Sequence, residues 1–219
     1  MIFFPIAILA FILLVLSLPL LFVLGYLNIV TTGFAQLGIS PEVTLFVLFL
    51  ILIGSSINIP ITKQRTVLTR KSYFFGLYSK PVLEVHCIAI NLGGAIIPVL
   101  LSFYFLFQVY SNNFSLIKVL ISTILMVIVT KYYSKIVPGR GITLPLFIPP
   151  LFSTLFAFIL MPNFTAPCAF ISGVLGTLIG ADLLNLKKVR RLSGFLSIGG
   201  AGVFDGIFLT GIVSALLSG

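Results

Sequence analysis

Apolar residues in this chain fall into seven long runs, each ending at polar residues, proline or glycine. Runs of about 18 or more apolar residues are typical of helices that cross a membrane. The sequence therefore predicts an all-α, polytopic membrane protein with seven transmembrane helices in one domain, residues 1–219. The predicted spans are about Ile2–Leu27, Val43–Ile61, Val85–Val109, Leu116–Val129, Leu144–Met161, Ala166–Leu186 and Phe195–Leu217.

Composition supports this class, because 59% of the 219 residues are hydrophobic and only 8% are charged. Soluble domains carry about 25% charged residues. The net charge of +9 would suggest nucleic-acid binding in a soluble protein. In a membrane protein, the distribution of basic residues among the loops instead indicates which side of the membrane each loop faces. We expect no nucleic-acid partner. One histidine and two cysteines, Cys87 and Cys168, predict neither a metal site nor another cofactor.

Basic residues are concentrated in three of the predicted loops, which hold twelve of the thirteen. Loops rich in lysine and arginine stay in the cytoplasm, so we expect the N-terminus inside and the C-terminus outside. The loop between spans two and three also contains aromatic residues, which predicts contact with anionic lipid headgroups. The twelve residues are Lys63, Arg65, Arg70, Lys71, Lys80, Lys131, Lys135, Arg140, Lys187, Lys188, Arg190 and Arg191.

The only two aspartates, Asp182 and Asp205, lie in predicted spans six and seven. An acid inside a span costs about 2.5 kcal/mol or more on insertion scales, which favours a functional role. Glycines before Asp205 disfavour helix, so we expect the regular helix to start near Gly200 and Asp205 to lie level with Asp182. Two neighbouring carboxyl groups can act as general acid and base. A proton or ion relay and a purely structural role remain open.

Six further residues are candidates for supporting this site. The glycines allow close approach of the backbone, whereas the asparagines either line the same cavity or form interhelical hydrogen bonds worth about 0.6 kcal/mol each. A separate strip of small residues, Gly173, Gly176 and Gly180, is expected to be a helix-packing surface. The six candidates are Gly200, Gly202, Gly206, Asn58, Asn91 and Asn185.

These residues resemble the intramembrane aspartyl proteases, namely presenilin, signal peptide peptidase and the prepilin peptidases. The presenilin-like members place two aspartates on consecutive helices six and seven, the second in a Gly-x-Gly-Asp motif. Here Asp182 and Asp205 match, and Gly200-Ala201-Gly202 precedes the second acid, with Val203 and Phe204 inserted. The resemblance implies hydrolysis of transmembrane peptide or protein substrates by a reduced core. A transporter or ion-conducting protein is the alternative, and an oligomer is possible.

A second resemblance is to an uncharacterised prokaryotic family of small multispanning proteins, which implies a multi-pass protein of the cell membrane. The segments that carry it are GSSINIP (Gly54 to Pro60), NLGGAIIPVLLS (Asn91 to Ser102), GRGITLP (Gly139 to Pro145), GTLIGADLLNL (Gly176 to Leu186) and SIGGAGVFDGIFLTGI (Ser197 to Ile212).

Overall fold

A computed structural model describes residues 17, 23–25, 27–62, 65–73, 78–137, 141–189, 195–200 and 206–217. Most of them are helical. The helices are α1 (Val23–Gln36, apart from Tyr26, which is not described), α2 (Pro41–Ser55), α3 (Ile97–Ser111), α4 (Leu116–Tyr133), α5 (Ile148–Leu160), α6 (Thr165–Thr177), α7 (Leu186–Val189) and α8 (Gly206–Leu217). A π-helix, Leu92–Ile96, leads into α3, and the π-helix Leu178–Asp182 and the 3-10 helix Leu183–Asn185 follow α6.

The described residues also form six strands: β1 (Asn58–Pro60), β2 (Arg65–Tyr73), β3 (Tyr78–Asn91), β4 (Lys135–Val137), β5 (Gly141–Thr143) and β6 (Phe195–Ile198). The long strand β3 organises the main sheet. Its first part pairs antiparallel with β2, and its last residues pair antiparallel with β1 and parallel with β6. Strands β4 and β5 form a separate antiparallel pair.

Helix α6 lies at the centre of the bundle, and α3, α4, α5 and α8 pack around it. Every residue of α6 except Leu175 is buried. Its glycines permit this crowding: a Cβ added to Gly176 would overlap Met126 of α4, and one added to Gly180 would overlap Thr130. The predicted strip of small residues therefore packs against α4 at these two positions, whereas Gly173 contacts α5 and α8.

The connecting segments gather at two ends of the bundle. At one end, which we call the amide end, the turns after α1 and α3 and the segment before α6 surround a cavity lined by Gln36, Gln108, Asn112 and Asn163. At the other, the sheet end, β1, β3 and β6 cover the end of α2 and the π-helix that begins the α3 segment. The predicted loops without basic residues thus meet at the amide end.

Three described helical segments are long and apolar enough to cross a membrane: Leu92–Ser111, Leu116–Tyr133 and Pro162–Lys188. A fourth is obtained if α1 and α2, which are bent by 114° to one another, form one span. The outer faces are apolar, since Phe107 is 66% exposed and Phe158 is 65% exposed. The protein thus has the helices of a membrane protein, and seven full spans stay a prediction.

The expectation of an all-α protein was wrong in detail, because parts of three predicted spans are strands. Residues 58–60, 85–91 and 195–198 belong to β1, β3 and β6. An apolar run does not by itself distinguish a buried strand from a helix, and the β-branched residues around Val85 and Ile88 favour the strand. The basic second loop is likewise largely the hairpin of β2 and β3.

Two further helix boundaries differ from the prediction. Helix α1 continues to Gln36, well beyond the expected end of span one at Leu27, whereas most of Ile2–Leu27 lies outside the described residues. The helix expected from Gly200 is described only from Gly206. Gly199 and Gly200 instead adopt positive φ angles of 80° and 76°, which favour glycine and interrupt a helix.

We predict that Gly180→Ala lowers the free energy of unfolding by about 1–3 kcal/mol, because the added methyl group overpacks the contact between α6 and α4. Thermal unfolding in detergent micelles measures the effect. Gly25→Ala is the matched control, since a Cβ there meets no atom of the described residues within 4 Å. Equal melting temperatures for Gly180→Ala and the wild type would contradict this close helix contact.

Candidate functional site

Asp182 lies where the central helix loses its regular geometry. It is the last residue of the π-helix that follows α6, and a 3-10 turn begins at the next residue. Single π-turns inside helices occur frequently at functional sites, because the wider turn changes the direction of side chains and backbone groups. Asp182 is partly exposed, so its carboxyl group is within reach of a polar ligand or water.

The glycine turn after β6 lies directly against this acid. The backbone N–H of Gly199 donates to Oδ2 of Asp182 at 3.4 Å, a long hydrogen bond. A Cβ on Gly199 would lie 2.6 Å from the Cβ of Ala95, so only glycine fits between the acid and the π-helix Leu92–Ile96. The segment that leads toward Asp205 is thereby held beside Asp182.

Asn91 connects three elements of the sheet end. Its side chain is fully buried, and Nδ2 donates to the Ser55 carbonyl oxygen at 2.7 Å and to Oδ1 of Asn58 at 3.1 Å. Its Oδ1 accepts from the Gly94 N–H at 2.7 Å and so caps the π-helix before α3. The end of α2, strand β1 and the start of the α3 segment are thus fixed to one amide group.

Asn58 extends this network to the strand that precedes the glycine turn. The hydroxyl of Ser197 in β6 donates to Oδ1 of Asn58 at 2.6 Å. Since Gly199 follows Ser197 by two residues, the network formed by Asn91, Asn58 and Ser197 positions the turn that contacts Asp182. Asn58 and Asn91, expected either to line one cavity with the acids or to form interhelical hydrogen bonds, are hydrogen-bonded to each other at this end.

Asn185 has a different set of partners. Its Nδ2 donates to the Ala181 carbonyl oxygen at 2.7 Å and to Oγ of Ser134 at 2.8 Å, and its Oδ1 accepts from the Lys131 ammonium. The Lys131 side chain also donates to the Leu184 carbonyl oxygen at 3.0 Å. Asn185 therefore ties the end of α4 to the end of the α6 segment, as expected for an interhelical hydrogen bond.

The remaining predicted site residues can be placed only in part. Asp205 and Gly202 lie outside the described residues, Gly200 is the second residue of the turn, and Gly206 begins α8. Cys87 and Cys168 are both buried and free. Among the described ranges, no group of three or more His, Cys, Asp or Glu side chains is placed to hold a metal ion.

Sequence reasoning missed Ser197 and the specific role of Gly199. From the sequence, both residues are predicted only to weaken the helix before Asp205. The signal that identifies them is the order of residue types. The segment Phe195 to Ile198 is apolar apart from one serine, and two glycines follow it directly. That order is typical of a short strand followed by a turn with positive φ.

Residues 52–217 match the family DUF1614, described as a protein of unknown function. The matched range covers well over half of the chain, so the chain belongs to this family. It includes every residue of the sheet end described above. The search among curated proteins found no match, and the search among solved structures found none either.

We predict that Asn91→Ala lowers the free energy of unfolding by about 1–3 kcal/mol or more, because it leaves the buried Ser55 carbonyl and Gly94 N–H without their partner. The control is Asn163→Ala, which removes an exposed amide that has no hydrogen-bond partner among the described residues. Melting temperatures in the same detergent compare the two. A loss no larger for Asn91→Ala than for Asn163→Ala would refute the role of this network.

Proposed function

We propose that the protein is a membrane-embedded aspartyl hydrolase in which Asp182 and Asp205 act as a pair on peptide bonds of transmembrane segments. The observation that carries this proposal is the hydrogen bond from the Gly199 N–H to Asp182. It brings together the end of the central helix and the segment that leads to the second acid. The resemblance to intramembrane aspartyl proteases supplies the reaction class.

The register between α6 and α8 supports the pairing. Gly173 lies beside Thr210, since a Cβ on Gly173 would lie 3.1 Å from Cγ2 of Thr210. The two helices run in opposite directions, because the end of the α6 segment meets the turn that precedes α8. Gly206 precedes Thr210 by four residues, so it is level with about residue 177 of α6. Asp182 lies five residues further along the helix, a distance of about 7.5 Å along the axis. The residue that follows Asp205 in sequence is therefore within about one and a half helical turns of the level of Asp182.

The sheet offers a means of holding an extended substrate. Strand β6 pairs with β3 along one edge, and no described strand pairs with its other edge. Backbone groups on an open edge bind an extended peptide by adding it as a further strand. Gly199 directly follows β6, so a peptide bound along the open edge of β6 would lie close to Asp182.

The proposed reaction needs no cofactor. One ionised carboxylate takes a proton from water while the protonated partner donates its proton to the carbonyl oxygen of the substrate, giving a tetrahedral diol. Collapse of the diol breaks the C–N bond, and the leaving nitrogen takes up a proton from the pair. The products are a carboxylic acid and an amine, and one water molecule is consumed.

The sheet end is proposed to face the cytoplasm. Lys131, Lys135, Lys187 and Lys188 flank it, whereas the described residues that line the cavity at the amide end carry no charge. By the preference of basic loops for the cytoplasm, this orientation puts the N-terminus inside and the C-terminus outside a multi-pass protein of the cell membrane. The basic segments are then placed beside anionic headgroups.

Cysteine labelling tests this orientation. In a variant in which Cys87 and Cys168 are replaced by alanine, Asn113→Cys and Lys135→Cys introduce exposed thiols beyond the two ends of α4. We predict that a membrane-impermeant maleimide labels Asn113→Cys in intact cells and labels Lys135→Cys only after permeabilisation. The reverse pattern, or labelling of both in intact cells, would reject the proposed topology.

For the reaction, we predict that Asp182→Asn and Asp205→Asn each reduce cleavage by about 100-fold or more, as expected when a general acid or base is lost. The probe is a fluorogenic peptide containing one apolar segment of about 20 residues, added to purified protein in lipid vesicles. Glu42→Gln is the matched control, because Glu42 is exposed at the start of α2.

Full cleavage by either aspartate variant would exclude the paired mechanism. The same vesicles, loaded with a pH-sensitive dye, test the alternative of a proton relay. Proton flux that depends on both aspartates in the absence of any cleavage would replace the hydrolase with that alternative.

A further inference from the structure

The amide end of the bundle contains a cavity of about 510 Å³ that the proposed reaction does not use. It lies between the turn after α1, the end of α3 and the segment that starts α6. This volume is within the range of about 300–1,000 Å³ that small-molecule sites occupy. The cavity is open at the surface, so a ligand can enter it from outside the bundle.

Four carboxamide side chains dominate its polar lining: Gln36, Gln108, Asn112 and Asn163. None of the described residues that line the cavity carries a charge. A charged ligand would therefore find no counter-charge, and a wholly apolar ligand would cover amides without satisfying them. The lining favours an uncharged ligand that both donates and accepts hydrogen bonds.

The four carboxamide side chains differ in the hydrogen bonds that they already make within the protein. Nδ2 of Asn112 donates to the Gln108 carbonyl oxygen at 2.8 Å, and Nε2 of Gln108 donates to the Tyr104 hydroxyl at 3.0 Å. These bonds leave both side-chain carbonyl oxygens as acceptors. Gln36 and Asn163 have no side-chain hydrogen bond among the described residues, so each still offers a donor and an acceptor.

An aromatic ring completes the lining. Phe164 is stacked on Phe114 with ring centroids 4.6 Å apart, which holds the ring at the wall of the cavity. An immobilised ring beside carboxamides suits a ligand with C–H groups on one face and hydroxyl groups around its edge. Each hydroxyl group both donates and accepts, as each carboxamide does.

We propose that this cavity binds an uncharged sugar unit, either as a free sugar or as the headgroup of a membrane glycolipid. Gln36 and Asn163 donate to and accept from its hydroxyl groups, and Gln108 and Asn112 accept from them. Phe164 contacts the apolar face of the ring. The site is independent of Asp182, which lies at the opposite end of the central helix.

Binding is measured with full-length protein purified in lauryldimethylamine oxide, because maltoside detergents carry a sugar headgroup themselves. The protein is then placed in phosphatidylcholine nanodiscs. Calorimetry and saturation-transfer NMR compare methyl β-glucoside as the free sugar, nanodiscs containing glucosyl diacylglycerol as the headgroup, and glucuronate as a charged sugar. An acetylated alanine tripeptide amide represents an uncharged ligand without hydroxyl groups.

We expect one of the two uncharged sugar forms to bind, and the form that binds identifies the source. Glucuronate and the tripeptide are expected to bind more weakly. Asn163→Asp and Gln36→Glu keep the side-chain shape but remove the donors and add a charge, so each is expected to weaken sugar binding at least about tenfold, or about 1.4 kcal/mol. Asn113→Asp, in the same turn as Asn112 but outside the lining, should bind as the wild type does.

Melting temperatures establish that the variants are folded. Absence of binding by both uncharged sugars would overturn the proposal, as would unchanged binding in both lining variants. Stronger binding of the tripeptide than of either sugar would assign the cavity to a peptide instead and would equally overturn it.

Discussion

The close approach of α6 to its neighbours is the contact on which the rest of the structure depends. Lipid tails are as apolar as the side chains, so helices in a membrane gain little by hiding apolar surface and associate through close packing and hydrogen bonds. Gly176 and Gly180 meet this need against α4, where the Thr130 hydroxyl donates to the Gly176 carbonyl oxygen at 2.9 Å. Where α6 meets α5 and α8, Gly173 lies against Ser153 and Ser214, whose hydroxyl groups are hydrogen-bonded to each other.

This packing determines where the acid is placed. Because α6 is packed on all sides, the residues at its end have one defined position. Asp182, the last residue of the π-turn that follows α6, is one of them. Gly180, whose contact with Thr130 holds the backbone against α4, lies within this π-turn, two residues before Asp182. The rigid helix thus positions Asp182, and the turn at Gly199 adds a hydrogen-bond donor to it.

Several of these features were predictable from the sequence, for identifiable reasons. Glycine spacing in the central helix predicted the close contacts that Gly176 and Gly180 make with α4. Hydrogen bonding by Asn58 and Asn91 was one of the two roles expected for them, and each is hydrogen-bonded to the other. The strands were not predicted, because the mean hydropathy of a run is the same whether it forms a strand or a helix. The last part of β3 was therefore assigned to the start of a predicted helix. Pairing between β3 and β6 joins residues more than 100 positions apart, a contact that no local pattern contains.

Irregular backbone at the end of a membrane bundle is stable only if its polar groups find partners within the protein or in water. Asn91 satisfies the Ser55 carbonyl oxygen and the Gly94 N–H, and the pairing of β3 with β1 and β6 satisfies backbone groups of these strands. At the other edge of β6, no described strand supplies such partners. Because β6 ends at the turn in which the Gly199 N–H donates to Asp182, a peptide that satisfied this edge would lie beside the acid.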